Sequence, residues 1–392
     1  MPPLTAPIYM DHNATTPVDP RVVEAMLPAF GTHFGNAASK THAYGWAAAK
    51  LAERARESIA AGLGGLPEGV IFTSGATEAN NLAIKGAVWP LRGRGDHIVT
   101  VSTEHKAVLD PCARLAQEGF SVTVLPVDRE GHATPEQVAL ALEPRTLLVS
   151  VMLANNEIGT LQPVAAIARM CRQRGVLVHC DATQAVGKIP VDLDALGVDL
   201  LSCSAHKLYG PKGVGALLIR RRTPRLRLTP LLDGGGHEQG MRSGTLNVPG
   251  IVGFARALEL ALAELPEESA REAALRDRLR DAITSRLAGV IENGDPVERL
   301  PNTLNLSFEG VDGAALLVSL HDVAVSSGSA CTSADPSPSH VLAALGRSKA
   351  LAAASLRFSL GRSNTAEEVE TVADAVVREV DRLRERSPLW KN

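Results

Sequence analysis

Five short polar clusters in this chain could do chemistry, and each follows an apolar run. Ser74-Gly75-Ala76-Thr77 comes after Val70-Ile71-Phe72 and opens a helical stretch. Backbone N–H groups at such a helix start, with the Thr77 hydroxyl, make an anion cradle; a plain helix N-cap is the alternative. Thr103-Glu104-His105 follows the next run, and His105 could lie flat over a planar ring or be structural. Ala154-Asn155-Asn156-Glu157 follows a third and reads equally well as a turn. Asp181 ends Val176-Leu177-Val178-His179-Cys180, with Gln184 three residues on. A carboxylate there is costly unless it meets a cation, or it caps the next segment. Ser204-Ala205-His206-Lys207 closes the last run. Lys207 is either a surface lysine or a desolvated amine able to form a Schiff base.

The apolar runs explain why these clusters belong together. Short β-branched segments at about 70–72, 97–101, 122–125, 147–152, 176–180, 200–203 and 216–219 alternate with helical stretches. That alternation predicts a mainly parallel sheet of seven strands covered on both faces, with ligands beyond the carboxyl ends of the strands. An amphipathic helical region at about 249–288, a strand at 303–308 and a helix at 366–385 follow. The expected organisation is a large α/β domain at 16–255 and a smaller α+β domain at 256–392, with residues 1–15 as an arm on the smaller one. An anion cradle, a stacking ring, a carboxylate and a lysine at the ends of one sheet's strands are the set that pyridoxal 5′-phosphate requires. Its phosphate needs N–H donors, its pyridine nitrogen a carboxylate and its aldehyde an amine.

Composition narrows the alternatives. The 392 residues are 45% hydrophobic and 21% charged with a formal net charge of −3, which gives no reason to expect nucleic acid or a membrane as partner. Aromatic residues are 3%, too few for base-stacking platforms. The N-terminal stretch has no basic region followed by an apolar one, so a cytoplasmic protein is expected. The five cysteines are scattered without a CxxC pair, which disfavours a disulfide framework and a structural zinc site. Four of them, Cys112, Cys171, Cys180 and Cys203, sit in or beside apolar runs, as packing residues do. Cys331 instead lies in Ser326-Ser327-Gly328-Ser329-Ala330-Cys331-Thr332-Ser333, a small, polar, turn-forming stretch that reads as a mobile loop.

The segments DHNATTPVDP, FTSGATEANNLAIKG, TEHKAVL, NNEIGTLQP, DATQAVGK, SAHKLYGPKGVGAL, GGGHEQGMRSGT, SSGSACTSADPSPSHVL and LRFSLGR, in this order, resemble the NifS/IscS-type cysteine desulfurases of aminotransferase class V. The resemblance runs from about residue 8 to 388 and implies the pyridoxal-phosphate transferase fold of type I. It implies Lys207 as the amine bonded to the cofactor, Asp181 on the pyridine nitrogen, Gln184 on the phenolic oxygen and His105 stacked on the ring. Ala76, Thr77, Ser204 and His206 would hold the phosphate, and Thr245 would reach the site of a partner subunit in a homodimer. Asn156, also counted with the cofactor-binding residues, and Arg357 would bind the substrate carboxylate. Cys331, Lys207 and His105 would carry the catalysis: sulfur leaves L-cysteine as a persulfide on Cys331, L-alanine is released, and the sulfur passes to an iron–sulfur scaffold or another acceptor. No metal is implied, apart from transient ligation of an iron–sulfur cluster by Cys331 during transfer. Position 205 is alanine where the family pattern has glycine, which puts one methyl near the expected phosphate. A class V aminotransferase, a selenocysteine lyase and a cofactor-free assembly partner are the competing readings.

Overall fold

The computed structural model describes residues 6–223, 226–327, 339–388 and 390. Its strands are β1 (Ile8–Tyr9), β2 (Val70–Thr73), β3 (His97–Val101), β4 (Ser121–Leu125), β5 (Thr146–Ser150), β6 (Leu177–Asp181), β7 (Leu200–Ser204) and β8 (Gly215–Ile219). In the later part follow β9 (Val290–Glu292), β10 (Thr303–Phe308), β11 (Val323–Ala324), β12 (Ser326–Ser327) and β13 (Ser355–Ser359). Seven of them form the main sheet in the order β2-β8-β7-β6-β5-β3-β4. β3 to β7 pair in parallel, while β8 runs antiparallel to both of its neighbours. The link from β7 to β8, residues 205–214, is too short for the crossover that a parallel neighbour needs.

Apart from the edge strand β4, these strands are buried along their whole length, because helices cover both faces. Three strand ends differ from expectation by one residue, the first being β2, which continues to Thr73. Asp181 and Ser204 are the last residues of β6 and β7 rather than the first beyond them, since the ladder continues through Asp181 opposite Ser202 and Ser204 opposite Gly215. The strand expected at 147–152 runs from Thr146 and ends at Ser150.

A second sheet, β12-β13-β10-β9, is antiparallel throughout. The N-terminal segment packs beside it: β1 pairs with β11, and Asp11 bridges to Ser359. The two sheets have separate cores joined by one 37-residue helix, Val248–Thr284. Ile251, Phe254 and Leu258 of that helix belong to the main core, and Leu275, Leu279 and Ile283 to the second. The boundary expected at residue 255 therefore lies inside a continuous helix.

A buried ion pair fastens the edge of the main sheet. Arg56, on the Ala43–Gly62 helix, donates to both carboxylate oxygens of Glu238 at 3.0 and 2.8 Å, and the Phe72 N–H donates to Glu238 at 2.8 Å. Glu238 sits at φ +47°, a left-handed conformation that only over-determined contacts sustain. Glu238→Ala removes the buried partner of the Arg56 charge, leaving it the exposed Glu53 and the Val70 carbonyl, and leaves the Phe72 N–H buried without an acceptor. The expected loss is about 3–5 kcal/mol of unfolding free energy, read as a lowered denaturant midpoint by circular dichroism.

Candidate active site

The carboxyl ends of the main-sheet strands open onto one cavity of about 610 Å³. Residues from all five polar clusters line it. After β2 come Gly75, Ala76 and Thr77; after β3, His105; after β5, Asn156. Asp181 and Gln184 follow from β6, and Ser204, His206 and Lys207 from β7. Parallel strands deliver their ends to the same edge, which is why residues up to about 130 positions apart converge.

The helix Ala76–Val88 starts at Gly75, which has φ +150° and approaches the Ser204 hydroxyl. No side chain caps this helix. The alternative of a self-capped start is thus not what the chain builds, and the first turn faces the cavity through Ala76 and Thr77. The Ser74 N–H donates to Glu78 instead, and Glu78 is paired with Arg242 at 2.8 Å.

Asp181 is held by two neutral donors. The Asn80 amide donates to one oxygen at 2.6 Å and the Thr183 N–H to the other at 2.9 Å. Among the described residues no side-chain cation forms an ion pair with it. A carboxylate on a cavity wall with only neutral partners suits a cationic group of a ligand. Lys207 reaches across from β7 and donates to the backbone carbonyls of Asn13 and, at 2.8 Å, of Ala14.

His105 lines the cavity and also has a structural part. Its Nδ1 accepts the Ala107 N–H at 3.0 Å, which caps the helix Lys106–Gln117 and leaves Nε2 as the nitrogen that carries the proton. Burial lowers its pKa; Asp181 opposes that and the Lys207 charge adds to it. His206 is lowered to about 4, by burial first and then by neighbouring lysines. The two imidazoles are therefore neutral at pH 7.

Two residues implied for the site stand off the wall. Arg357 is 1% exposed and is not among the residues lining the cavity: one Nη donates to the Asn156 carbonyl at 3.0 Å, the other to Asp11 at 2.6 Å. Its Nε is buried without a partner among the described residues. Thr245 is exposed and does not line this cavity. The Ala205 methyl also differs from expectation. It is fully buried against Gly210, where any added Cβ would come within 2.9 Å, and it is absent from the cavity wall. Cys331 lies outside the described residues. The other four thiols are buried and free. Burial pushes Cys112, Cys171 and Cys203 up to about 12 and raises Cys180 well above the ordinary thiol value, so none of them is a thiolate at neutral pH.

Three contributors escaped the reading of the sequence: Asn13, Asn80 and Lys188. Asn80 had a local signal, a fully buried amide on a helix face otherwise built from Ala79, Leu82 and Ala83. Lys188, four residues after Gln184, is 8% exposed and donates to it at 3.1 Å. Asn13 had no local signal, because its partners lie 143 to 346 residues away.

The profile of the family described as aminotransferase class-V matches residues 8–372. A cysteine desulfurase IscS of Anaeromyxobacter dehalogenans (strain 2CP-C) is 55% identical over 385 residues, covering 98% of this chain and 95% of that protein. A solved structure titled NifS-like protein superposes with a TM-score of 0.89 at 40% identity, covering 96% of this chain and all of that one. Another, titled SspA in complex with cysteine, superposes with a TM-score of 0.80 at 37% identity, covering 90% and 98%.

The carboxyl of Glu157, beside Asn156, is raised to about 7 by burial, against the opposing effects of the Ser339 hydroxyl and Arg357. The folded chain thus binds a proton that the unfolded chain releases above about 4.5. Stability from this group is intact below pH 4.5 and falls as the pH rises towards 7. Glu157→Gln is expected to flatten that fall, by up to about 3 kcal/mol, in thermal midpoints measured across a pH series.

Proposed function

This chain belongs to the aminotransferase class-V family, and from that premise we propose that it is a cysteine desulfurase. It takes the sulfur of L-cysteine onto Cys331 as a persulfide, releases L-alanine and passes the sulfur to an acceptor protein that builds iron–sulfur clusters or other sulfur-containing products. The observation that carries this reading is the convergence of Lys207, Asp181 and the uncapped helix start on one cavity, in a chain 55% identical along 98% of its length to a cysteine desulfurase.

Pyridoxal 5′-phosphate fits that cavity. In support, Asp181 offers a carboxylate with only neutral partners to a protonated pyridine nitrogen, and Lys207 offers an amine to an aldehyde. Ala76, Thr77, Ser204 and His206 surround the place where a phosphate would meet N–H and O–H donors. Bound there, the cofactor supplies an electron sink that weakens bonds next to the substrate's α-carbon.

The chain's own residues do the rest. His105 would lie against the cofactor's ring, and its neutral imidazole can exchange a proton at Nε2. Lys207 Nζ receives the substrate's α-proton and returns it within the same wall. Asn156 and Arg357 take the substrate carboxylate, the buried Arg357 Nε being a donor in want of an acceptor. The Cys331 thiolate then attacks the substrate sulfur: an S–S bond forms, the C–S bond breaks, and its electron pair leaves with the carbon. The flanks of the Cys331 segment support this assignment. Ser326 pairs with Arg357 across β12 and β13, and the Ser339 hydroxyl donates to Glu157 at 2.5 Å.

We further propose a homodimer in which Thr245 enters the partner's cavity. An apolar surface supports it, with Leu27, Phe30, Phe34 and Trp46 each 58–65% exposed. No described helix is long and apolar enough to cross a membrane. The cytosol is the proposed location, and residues 16–255 and 256–392 the proposed domains, with residues 1–15 as the arm.

After incubation with L-cysteine, mass spectrometry is expected to find one added sulfur, about 32 Da, on the peptide containing Cys331. Sulfur on another cysteine, or on none, would sink the mechanism. Cys331→Ser is expected to abolish persulfide and alanine formation, whereas a transaminase would keep its turnover. Sedimentation of the unaltered protein should return twice the chain mass.

A further inference from the structure

Behind the cavity wall lies a second amine that the reaction does not use. Lys188 is 8% exposed, and its Nζ donates to Gln184 Oε1 at 3.1 Å and to Asn13 Oδ1 at 3.3 Å. Its backbone carbonyl accepts the Ser269 hydroxyl at 2.7 Å, which pins it to the Val248–Thr284 helix. We infer that Lys188 is a positioning residue: its ammonium fixes which end of the Gln184 amide faces the cavity. This rests on the reading of the cavity as a pyridoxal-phosphate site.

The inference follows from the polarity of hydrogen-bonding groups. The two ends of a glutamine amide have nearly the same shape but opposite polarity, so only the neighbours choose between them. Gln184 has one neighbour of each kind. Lys188 can only donate when charged, and the backbone carbonyl of Asn13 can only accept. The Gln184 oxygen therefore turns to Lys188, and its NH₂ turns to Asn13 O at 2.9 Å. The reverse orientation would set NH₂ against an ammonium and carbonyl against carbonyl. An amide nitrogen has two hydrogens, and the second N–H of Gln184, a cavity residue, has no partner among the described residues. It is a donor held ready for an anionic oxygen of the ligand.

Asn13 is oriented by the same ammonium. Its Oδ1 accepts from Lys188 and from Asn302 at 3.1 Å, which sends its NH₂ to the Asn156 carbonyl and the Thr303 hydroxyl. Its carbonyl in turn accepts from Lys207 and Gln184. Lys188 thus sets the polarity of two side-chain amides beside the backbone carbonyl that accepts from the reactive lysine.

The charges facing Lys188 come from several elements. Glu272, on the Val248–Thr284 helix, attracts it, while Lys207 and Arg357 repel it; the nearby His12 is itself held down to about 4, chiefly by burial. Burial lowers Lys188 and raises Glu272, each to about 7, and their mutual attraction opposes both shifts.

The experiment reads the pH midpoint of the visible absorption band of the lysine–cofactor Schiff base in the holoenzyme. A donor on the cofactor's ring oxygen would draw off the negative charge that otherwise holds the Schiff-base proton, and so would lower that midpoint. Lys188→Met, which keeps length and apolar bulk, is expected to raise it by about one pH unit. Gln184→Met should raise it similarly, and the double variant no further than the larger single one. Lys188→Met/Glu272→Gln keeps the buried pair uncharged and should show the same rise, which guards against a folding defect. An unmoved midpoint in Lys188→Met, or full additivity with Gln184→Met, overturns the inference. A holoenzyme band that never forms in the unaltered chain overturns the cofactor reading as well, and so is told apart from those results.

Discussion

The backbone carbonyl of Asn13 is the contact on which the site depends. It accepts from Lys207 and from Gln184, two cavity residues carried by different strands of the main sheet. Through its other groups Asn13 is tied to the second sheet: its N–H donates to the Ser359 hydroxyl and its amide to the Thr303 hydroxyl, each within 2.9 Å. Lysine and glutamine heads are expensive to bury unless they find acceptors. One peptide unit of the N-terminal segment provides an acceptor to both. The position of that segment on β11 and β13 is therefore part of the active site, although no residue of it was among those expected to do chemistry.

The same economy of partners governs the acids. Asp181 is kept by Asn80 and a backbone N–H, with no protein cation in its first contacts among the described residues. Glu104, one residue before His105, is completely buried, and one of its oxygens has no partner while the other accepts the Met152 N–H at 2.6 Å. Burial, with Asp181 adding, raises Glu104 well above the usual carboxyl range, so it is a neutral acid beneath the cavity floor. The site therefore holds one carboxylate ready for a cation and removes a competing one by keeping it protonated. That contrast between two acids, one just past β3 and one ending β6 with β5 between them, is a product of their surroundings, since the side chains differ by one methylene.

Much of the main sheet and the cavity was legible in the chain. Continuous runs of three to six mostly apolar residues read as strands when a polar residue and then a helical stretch follow them, and parallel strands must end on one edge. From that alone Thr77, His105, Asp181, Ser204 and Lys207 could be placed together, and the structure sets them around one cavity. The errors at strand ends were of one residue at β2, β6 and β7, where the ladder carries the polar residue as its last rung, and of two at β5. Thr303–Phe308 and Ala366–Glu385 were also readable, the first from its strand pattern and the second from a 3.6-residue period.

What the sequence by itself determined was the set of reactive side chains and the edge of the sheet on which they meet, because periodicity and strand direction are local properties. What only the tertiary structure decided was the partner of each one. Asn80 against Asp181, Asn13 against Lys207 and Lys188 against Gln184 are contacts between elements, or across a buried wall, with no pattern in the chain to announce them. Arg357 shows the same limit from the other side: its apolar flanks made burial foreseeable, but not that Asp11 and the Asn156 carbonyl would share its guanidinium. Residue type sets what a group can donate or accept; only packing sets what lies within 3 Å of it.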